Sequence, residues 1–397
     1  MAQLSDRLNR LAPSATLAMS QKSNEMKAQG VDVINMSVGE PDFNTPDHIK
    51  EAGKKAIDDN FSKYSPVPGY MDLREAIVEK LKKENGLDYT TNEVIAGTGG
   101  KQGVCNTILA LVNPGDEVII PAPYWVSYPQ MAKLAGATPV IVRAGFEQDF
   151  KMTAEQLEAA ITPKTKMLIL CSPSNPTGSV YSQEELNALA EVILKHEDIF
   201  VLSDEIYEHI NYVGKAASIA SYPGMKERTI ICNGVSKAYA MTGWRLGWEA
   251  APAWIVKGIN KLQGQYTSGT CDVSQKAAVA AYVASQDCVE QMRVAFERRR
   301  DLIVKLAKDI PGLEVNVPQG AFYLFPKCSS FFGKSDGETV INNSTDFAMY
   351  ILEKAHVATV GGDAFGEPDC FRMSYATSDD NIREAMRRIK EVLAVLK

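Results

Sequence analysis

The sequence predicts an α/β protein, with a large domain on a central, mostly parallel sheet, helices on both faces, and a smaller α+β domain. Three observations lead there. Seven short apolar runs, at 94–96, 117–120, 139–142, 167–170, 199–202, 229–231 and 245–248, read as strands buried on both faces. Helical patterns lie between several of them; the clearest, at 184–196, opens on Ser182 and Glu185, the spacing of a capping box. The last third changes character. A charged helical pattern over 285–310 is followed by strand-like 313–317 and 321–325, a helix near 345–354, strand-like 371–374 and a final helix from Asp379. The expected division is a large domain over 45–290 and a small domain made of 1–44 and 291–397.

Composition narrows the function classes. The chain has 397 residues, 45% hydrophobic and 23% charged, as suits a globular protein with a sizeable core. A net charge of −7 supplies no basic field for nucleic acid. The triplet Arg298-Arg299-Arg300 reads as a solvated helix face. The seven cysteines are scattered without a CxxC pair, and the four histidines fit no metal motif, so no metal is expected and both sets read as structural. No apolar window reaches the length of a membrane span and the amino terminus has no secretory pattern; a cytoplasmic protein is expected.

Several segments carry chemistry. Lys237 follows the run at 229–232 in Gly234-Val235-Ser236-Lys237, with Arg245 eight residues on; an amine at a strand end beside anion-binding groups can attack a carbonyl and form a Schiff base. An ordinary surface amine is the alternative. Gly97-Thr98-Gly99-Gly100-Lys101 lies between a strand and a helix, where backbone N–H groups and the helix dipole favour an anion, although a plain tight turn fits as well. Ser172-Pro173-Ser174-Asn175-Pro176 fixes a loop at a strand's carboxyl end, where open α/β sheets bind ligands. Asp204, in Ser203-Asp204-Glu205-Ile206-Tyr207, would be buried there and needs a cation, such as a protonated pyridine nitrogen, unless it caps a helix. Asp204 and Glu205 are not expected to be buried together. Arg245 and Arg372 sit at strand-like segments and offer planar forks for phosphate or carboxylate, or else form internal salt bridges.

In this order, with Trp125 between the glycine loop and Asn175, the motifs resemble the class I (fold type I) pyridoxal-phosphate aminotransferases over essentially the whole chain. The resemblance is closest to bacterial aspartate aminotransferases that carry Pro-Ser-Ala-Thr near the amino terminus, here Pro13-Ser14-Ala15-Thr16, and Gly-Gly-Lys, here Gly99-Gly100-Lys101. It implies a seven-stranded sheet and pyridoxal 5'-phosphate as cofactor. It implies that Lys237 holds the pyridoxal as a Schiff base and then moves the proton between Cα and the cofactor. Asp204 would pair with the ring nitrogen, Tyr207 and Asn175 with the ring oxygen, and Trp125 would stack on the ring. The backbone at Gly99, Gly100 and Lys101, with Ser236 and Arg245, would hold the phosphate. Arg372 would take the substrate α-carboxylate, with Gly39, Trp125 and Asn175 alongside. Tyr64 would reach the phosphate of a partner subunit, so a homodimer with shared sites is implied.

The resemblance also bears on substrate. No motif supplies the partner arginine that grips a distal carboxylate in the common aspartate enzymes; Gln265-Tyr266-Thr267-Ser268-Gly269-Thr270 occupies that region. In the Gly-Gly-Lys branch, Lys101 and Thr16 are given that work. The implied reaction converts aspartate and 2-oxoglutarate to oxaloacetate and glutamate, by a ping-pong cycle through pyridoxamine phosphate. Related branches that transaminate prephenate carry Lys before Pro-Ser, where this chain has Ala12, which argues against that activity. The rivals are an aromatic, alanine or methionine aminotransferase, a β-lyase of the same fold, and a cofactor-sensing regulator, which the acidic composition disfavours.

Overall fold

The computed structural model describes residues 4–397. The central sheet has seven strands, β1 (Val94–Gly97), β2 (Glu117–Ala122), β3 (Thr138–Arg143), β4 (Thr165–Cys171), β5 (Phe200–Asp204), β6 (Thr229–Gly234) and β7 (Gly247–Ala250), in the spatial order β1-β7-β6-β5-β4-β2-β3. Only β7 runs against its neighbours. Every residue of β1, β6 and β7 is buried, which is why these runs read as continuous apolar stretches.

The expected strand at 245–248 starts two residues later. Arg245 closes the short helix Thr242–Trp244 in the left-handed conformation, φ 55°, and donates to the Thr242 carbonyl at 2.7 Å, so it turns the chain into β7 instead of belonging to it.

The helices around these strands include α1 (Ala15–Ala28), α2 (Gly100–Leu111), α3 (Ser127–Leu134), α4 (Gln183–Leu194), α5 (Asp287–Lys308) and α6 (Asp379–Leu393). The capping box forms as expected at α4: Ser182 Oγ accepts from the Glu185 N–H at 3.2 Å, and Glu185 accepts from the Ser182 N–H at 2.8 Å. The helix near 345–354 divides into Ser344–Tyr350 and a wider π turn, Ile351–Ala355.

A second core gathers Ile34 and Met36 with Phe296, Phe322, Phe347, Phe371 and Ile389. Around it lie Ile34–Asn35 paired in parallel with Val357–Ala358, and a small sheet in which Phe371–Ser374 is central between Val360–Gly361 and Tyr323–Leu324. The run at 313–317 forms no strand; it contributes one bridge, Glu314 to Lys327, and the run at 321–325 pairs only over Tyr323–Leu324.

The arginine triplet is not a uniform solvated face. Arg298 is exposed, but Arg299 is buried, grips Asp42 through two hydrogen bonds of 2.7 and 3.0 Å, and lies 5.0 Å from the Phe43 ring. Arg300 lies 4.9 Å from the Tyr212 ring and donates to the Pro318 carbonyl. Three consecutive helix positions point about 100° apart, so one run of like charges meets both water and core. Among the described residues all seven cysteines are free, and only Cys271 is exposed. No described helix is long and apolar enough to cross a membrane.

Among the described residues one buried carboxyl is left without partners. Glu249 on β7 is fully buried against Gly103 of α2, where any side chain would collide with its Oε1, and neither oxygen finds a hydrogen bond. Burial pushes its pKa up to about 8. A carboxyl raised in this way favours the fold while protonated; that contribution is complete below the unfolded pKa and is lost as pH rises through about 8. Urea unfolding of the apoprotein at pH 5 and pH 9 tests this. The wild type should lose about 3 kcal/mol more than Glu249→Gln over that interval, and parallel curves would contradict it.

Candidate active site

The carboxyl ends of the parallel strands converge on one cavity of about 330 Å³. Five strands each deliver a part. After β1 the chain turns through Gly99, at φ 77°, into the amino terminus of α2 at Gly100 and Lys101. A side chain at Gly99 would collide with the Arg245 guanidinium, so this glycine serves both the turn and the approach of that arginine. β2 leads to Trp125 and to Tyr128 in the first turn of α3; β4 leads through Cys171 to Asn175. β5 ends on Asp204, with Tyr207 beyond, and β6 leads to Ser236 and Lys237. The small three-stranded sheet adds Arg372 and Tyr323, the loop at 38–39 adds Gly39, and α1 adds Thr16.

The cavity therefore collects Thr16, Gly39, Gly100, Lys101, Trp125, Asn175, Asp204, Tyr207, Ser236, Lys237, Arg245 and Arg372 from the residues singled out in the sequence. Gly99 lies just behind the lining, against Arg245. Tyr64 is not brought into this cavity; it is 100% exposed and lines a separate surface hollow with Phe61 and Cys271. Sequence reasoning missed Tyr128 and Tyr323, because an aromatic residue in an apolar context reads as core.

The buried charges are held by neutral groups. Lys237 Nζ donates to the Gly39 carbonyl at 2.6 Å. Loss of hydration lowers its pKa to about 8, with Glu40 opposing that shift and Arg372 reinforcing it. Asp204 accepts from the Tyr128 hydroxyl at 2.6 Å and from the Ile206 N–H at 3.3 Å; burial raises its pKa, and these two bonds restrain the rise. Its in-register neighbours on β4 and β6 are Cys171 and Cys232, which bring no charge. Arg372 donates through Nη1 to Asn175 Oδ1 at 2.8 Å and through Nη2 to the Ser37 carbonyl at 2.5 Å, while its buried Nε has no partner. Lys101 is an exposed residue, yet its ammonium lies 4.8 Å over the Trp125 ring; partial burial and then the Arg245 charge lower its pKa.

Asp204 and Glu205 are both buried, at 6% and 4% exposure, contrary to expectation. Successive residues of a strand face opposite sides. Asp204 meets the cavity, while Glu205 accepts from the hydroxyls of Ser203 at 2.9 Å and Ser218 at 2.7 Å on the other face. Among the described residues Glu84, Glu208 and His209 lie close enough together to hold a metal. Lys80 takes that position with its ammonium, bonded to Glu208 and to Asn85 and 3.5 Å from Glu84. Glu208 also accepts from Asn233 at 2.6 Å, so this cluster braces β6 just before the Lys237 loop.

The comparisons agree with this architecture. The family model "Aminotransferase class I and II" matches residues 31–389. The chain is 49% identical, over 100% of both chains, to the aspartate/prephenate aminotransferase of Cereibacter sphaeroides. It superposes on the aspartate aminotransferase of Rhizobium meliloti with a TM-score of 0.97, 42% identity and 100% coverage of both chains. For the Thermus thermophilus aspartate aminotransferase with maleate, the TM-score is 0.93 at 40% identity, over 99% of this chain and 100% of that one. The chain belongs to the class I and II aminotransferases.

The cofactor of this aminotransferase is pyridoxal 5'-phosphate, and the residues present fit it. Asp204 faces the cavity without a cationic partner and matches a protonated ring nitrogen. The start of α2, Ser236 and Arg245 form an anion site of the kind a phosphate needs. An aminotransferase amine with a pKa of about 8 should take up cofactor faster as pH rises through about 8 than an ordinary lysine, which ionises near 10.5. The check is the rate of cofactor uptake by the apoprotein, followed in the visible band from pH 6.5 to 10; a midpoint near 10 would contradict the assignment.

Proposed function

We propose that this aminotransferase transfers the amino group of aspartate to 2-oxoglutarate, as a cytoplasmic homodimer, with Lys237 as the catalytic amine. The observation that carries the substrate reading is Lys101. It is a cation at the cavity mouth, set against Trp125, with no carboxylate partner among the described ion pairs. Full-length relatives named aspartate aminotransferases support the same reading. All seven cysteines being free suits a reducing compartment. The homodimer reading draws on Tyr64, an aromatic side chain fully in solvent and outside the cavity of its own chain. We likewise assign residues 45–290 to the cofactor domain and residues 1–44 with 291–397 to the smaller one, since Ile34 and Met36 pack with 292–396.

Bound cofactor supplies an electron sink for the carbanion formed when the substrate Cα loses its proton. The chain's residues do the rest. Arg372, held flat by Asn175 and Ser37, takes the α-carboxylate bidentately. Asp204, fixed by Tyr128, would keep the ring nitrogen protonated. Tyr207 and Asn175 would hold the ring oxygen, and Trp125 would stack on the ring. Lys237, whose Nζ is held at the Gly39 carbonyl, would hold the cofactor and, as a free amine, move the proton that leaves the substrate Cα. Thr16 and Lys101 face the far end of the substrate, where Lys101 pairs with a second carboxylate.

The second reading is prephenate as acceptor, favoured by the names of several relatives. Ala12, whose N–H donates to Gln130 Oε1 at 3.0 Å, brings no charge to the arm that borders the cavity. A panel of amino donors and acceptors with wild type and Lys101→Ala decides. The variant should lose roughly 30-fold or more in kcat/KM for aspartate and glutamate, and little for alanine or phenylalanine. A uniform loss across donors would remove Lys101 from the specificity site. Equal rates with prephenate and 2-oxoglutarate would establish the second reading.

Borohydride reduction tests the amine itself. Wild type should yield a reduced cofactor adduct on the peptide containing Lys237, and Lys237→Ala should yield none; an adduct on Lys101 in the variant would refute the assignment.

A further inference from the structure

We propose that Tyr323 is a positioning residue of this site, fixing the hydroxyl of Tyr207 and the guanidinium plane of Arg372 together, and so tying the ring-oxygen end of the cofactor site to the carboxylate end of the substrate site. This rests on the roles proposed for Lys237, Tyr207 and Arg372.

The geometry is that of one side chain reaching three partners. Tyr323 is 1% exposed and lies on the strand Tyr323–Leu324, paired antiparallel with the strand that carries Arg372. Its hydroxyl is 2.7 Å from the Tyr207 hydroxyl, with the two rings edge to face at 5.8 Å and 80°. Its ring centroid is 4.6 Å from the Arg372 guanidinium carbon, and Phe365 stands 4.8 Å from the same carbon. The Tyr323 hydroxyl also fills the space that a side chain at position 39 would take. Gly39 is the residue whose carbonyl holds Lys237. A larger residue at 39 would therefore displace the hydroxyl, and with it the bond to Tyr207.

Each phenol has one O–H, so a Tyr207 whose oxygen accepts from Tyr323 keeps its own O–H to donate toward the ring oxygen of the cofactor. That donation favours the ionised ring oxygen, so weakening it moves the pH midpoint of the bound cofactor's visible band upward. The carboxylate end enters through the ring face, because Arg372, bonded to Asn175 and the Ser37 carbonyl, also rests against Tyr323 and Phe365 while its Nε makes no bond of its own.

Three variants separate these two roles, each first checked for a wild-type melting profile. Tyr323→Phe keeps the ring and removes only the hydroxyl. Its visible-band midpoint should rise by roughly half a unit to one unit, with KM for aspartate within about twofold of wild type. Tyr323→Leu removes the ring face, and KM for aspartate and for 2-oxoglutarate should rise roughly tenfold. Tyr207→Phe combined with Tyr323→Phe should show no further midpoint shift beyond Tyr207→Phe alone, because the hydroxyl of Tyr323 acts only through Tyr207. An unchanged midpoint in Tyr323→Phe, additive shifts in the double variant, or an unchanged KM in Tyr323→Leu would overturn the proposal. A wild-type protein whose bound cofactor shows no pH-dependent band would overturn instead the reading of Lys237 on which it rests.

Discussion

Charge burial without counter-charge is the constraint on which the site depends. Among the described residues, Asp204, Lys237 and Arg372 enter no ion pair. Each is held by neutral partners: a phenol and an amide for Asp204, a carbonyl for Lys237, an amide oxygen and a carbonyl for Arg372. Burying a charge costs several kcal/mol even when it is hydrogen-bonded, and a protein that needed only stability would pair these groups with one another. Keeping them apart leaves each one's strongest interaction for a ligand group of opposite charge. The same burial lowers the Lys237 pKa to about 8, which makes a neutral amine accessible near physiological pH.

The fold keeps the charges apart by spacing them along the strand ends. Asp204 is flanked in register by Cys171 and Cys232, small neutral residues that let the acid lie in the sheet without a cation beside it. The Cys232 thiol donates to the Gly100 carbonyl at 3.3 Å, so the sheet is bonded directly to the start of α2. On the opposite side, the loop that presents Gly39 is held from α5 by the two bonds between Arg299 and Asp42. Lys237 is thereby referenced to two parts of the fold, through β6 by covalent connection and through the Gly39 loop by a hydrogen bond.

The sequence carried most of the sheet and most of the cavity, for a physical reason. A buried parallel strand is a continuous apolar run, and a polar residue at its carboxyl end stands out against it; Asp204 after 199–202 and Lys237 after 229–232 are legible in that way. Arg245 was legible as a candidate site residue, and it does line the cavity, but it was misplaced in a strand, since its left-handed backbone leaves no trace in composition. The triplet at 298–300 was misread because like charges on a helix do not share a face. Glu205 escaped for a related reason, its partners Ser203 and Ser218 being ordinary in sequence and specific only in space. Tyr128 and Tyr323 illustrate the limit most clearly. A tyrosine in an apolar run signals burial, and nothing in the run says whether its hydroxyl meets water, a backbone carbonyl, or Asp204.

Lys101 shows what substrate selection asks of a cation. An ammonium paired to a carboxylate would have to break that pair before it could accept a ligand, and the exchange would gain little. Lys101 instead rests 4.8 Å over the Trp125 ring, repelled by Arg245 and partly stripped of water. A cation–π contact at such a site is worth about 1 kcal/mol, whereas a charge-assisted bond to a carboxylate is worth roughly 1.5–3 kcal/mol. The difference favours leaving the ring for an acidic ligand and staying on it for a neutral one. In the role proposed for Lys101, an acidic donor would find that charge available. Selection for a second carboxylate would then follow from how weakly Lys101 is held.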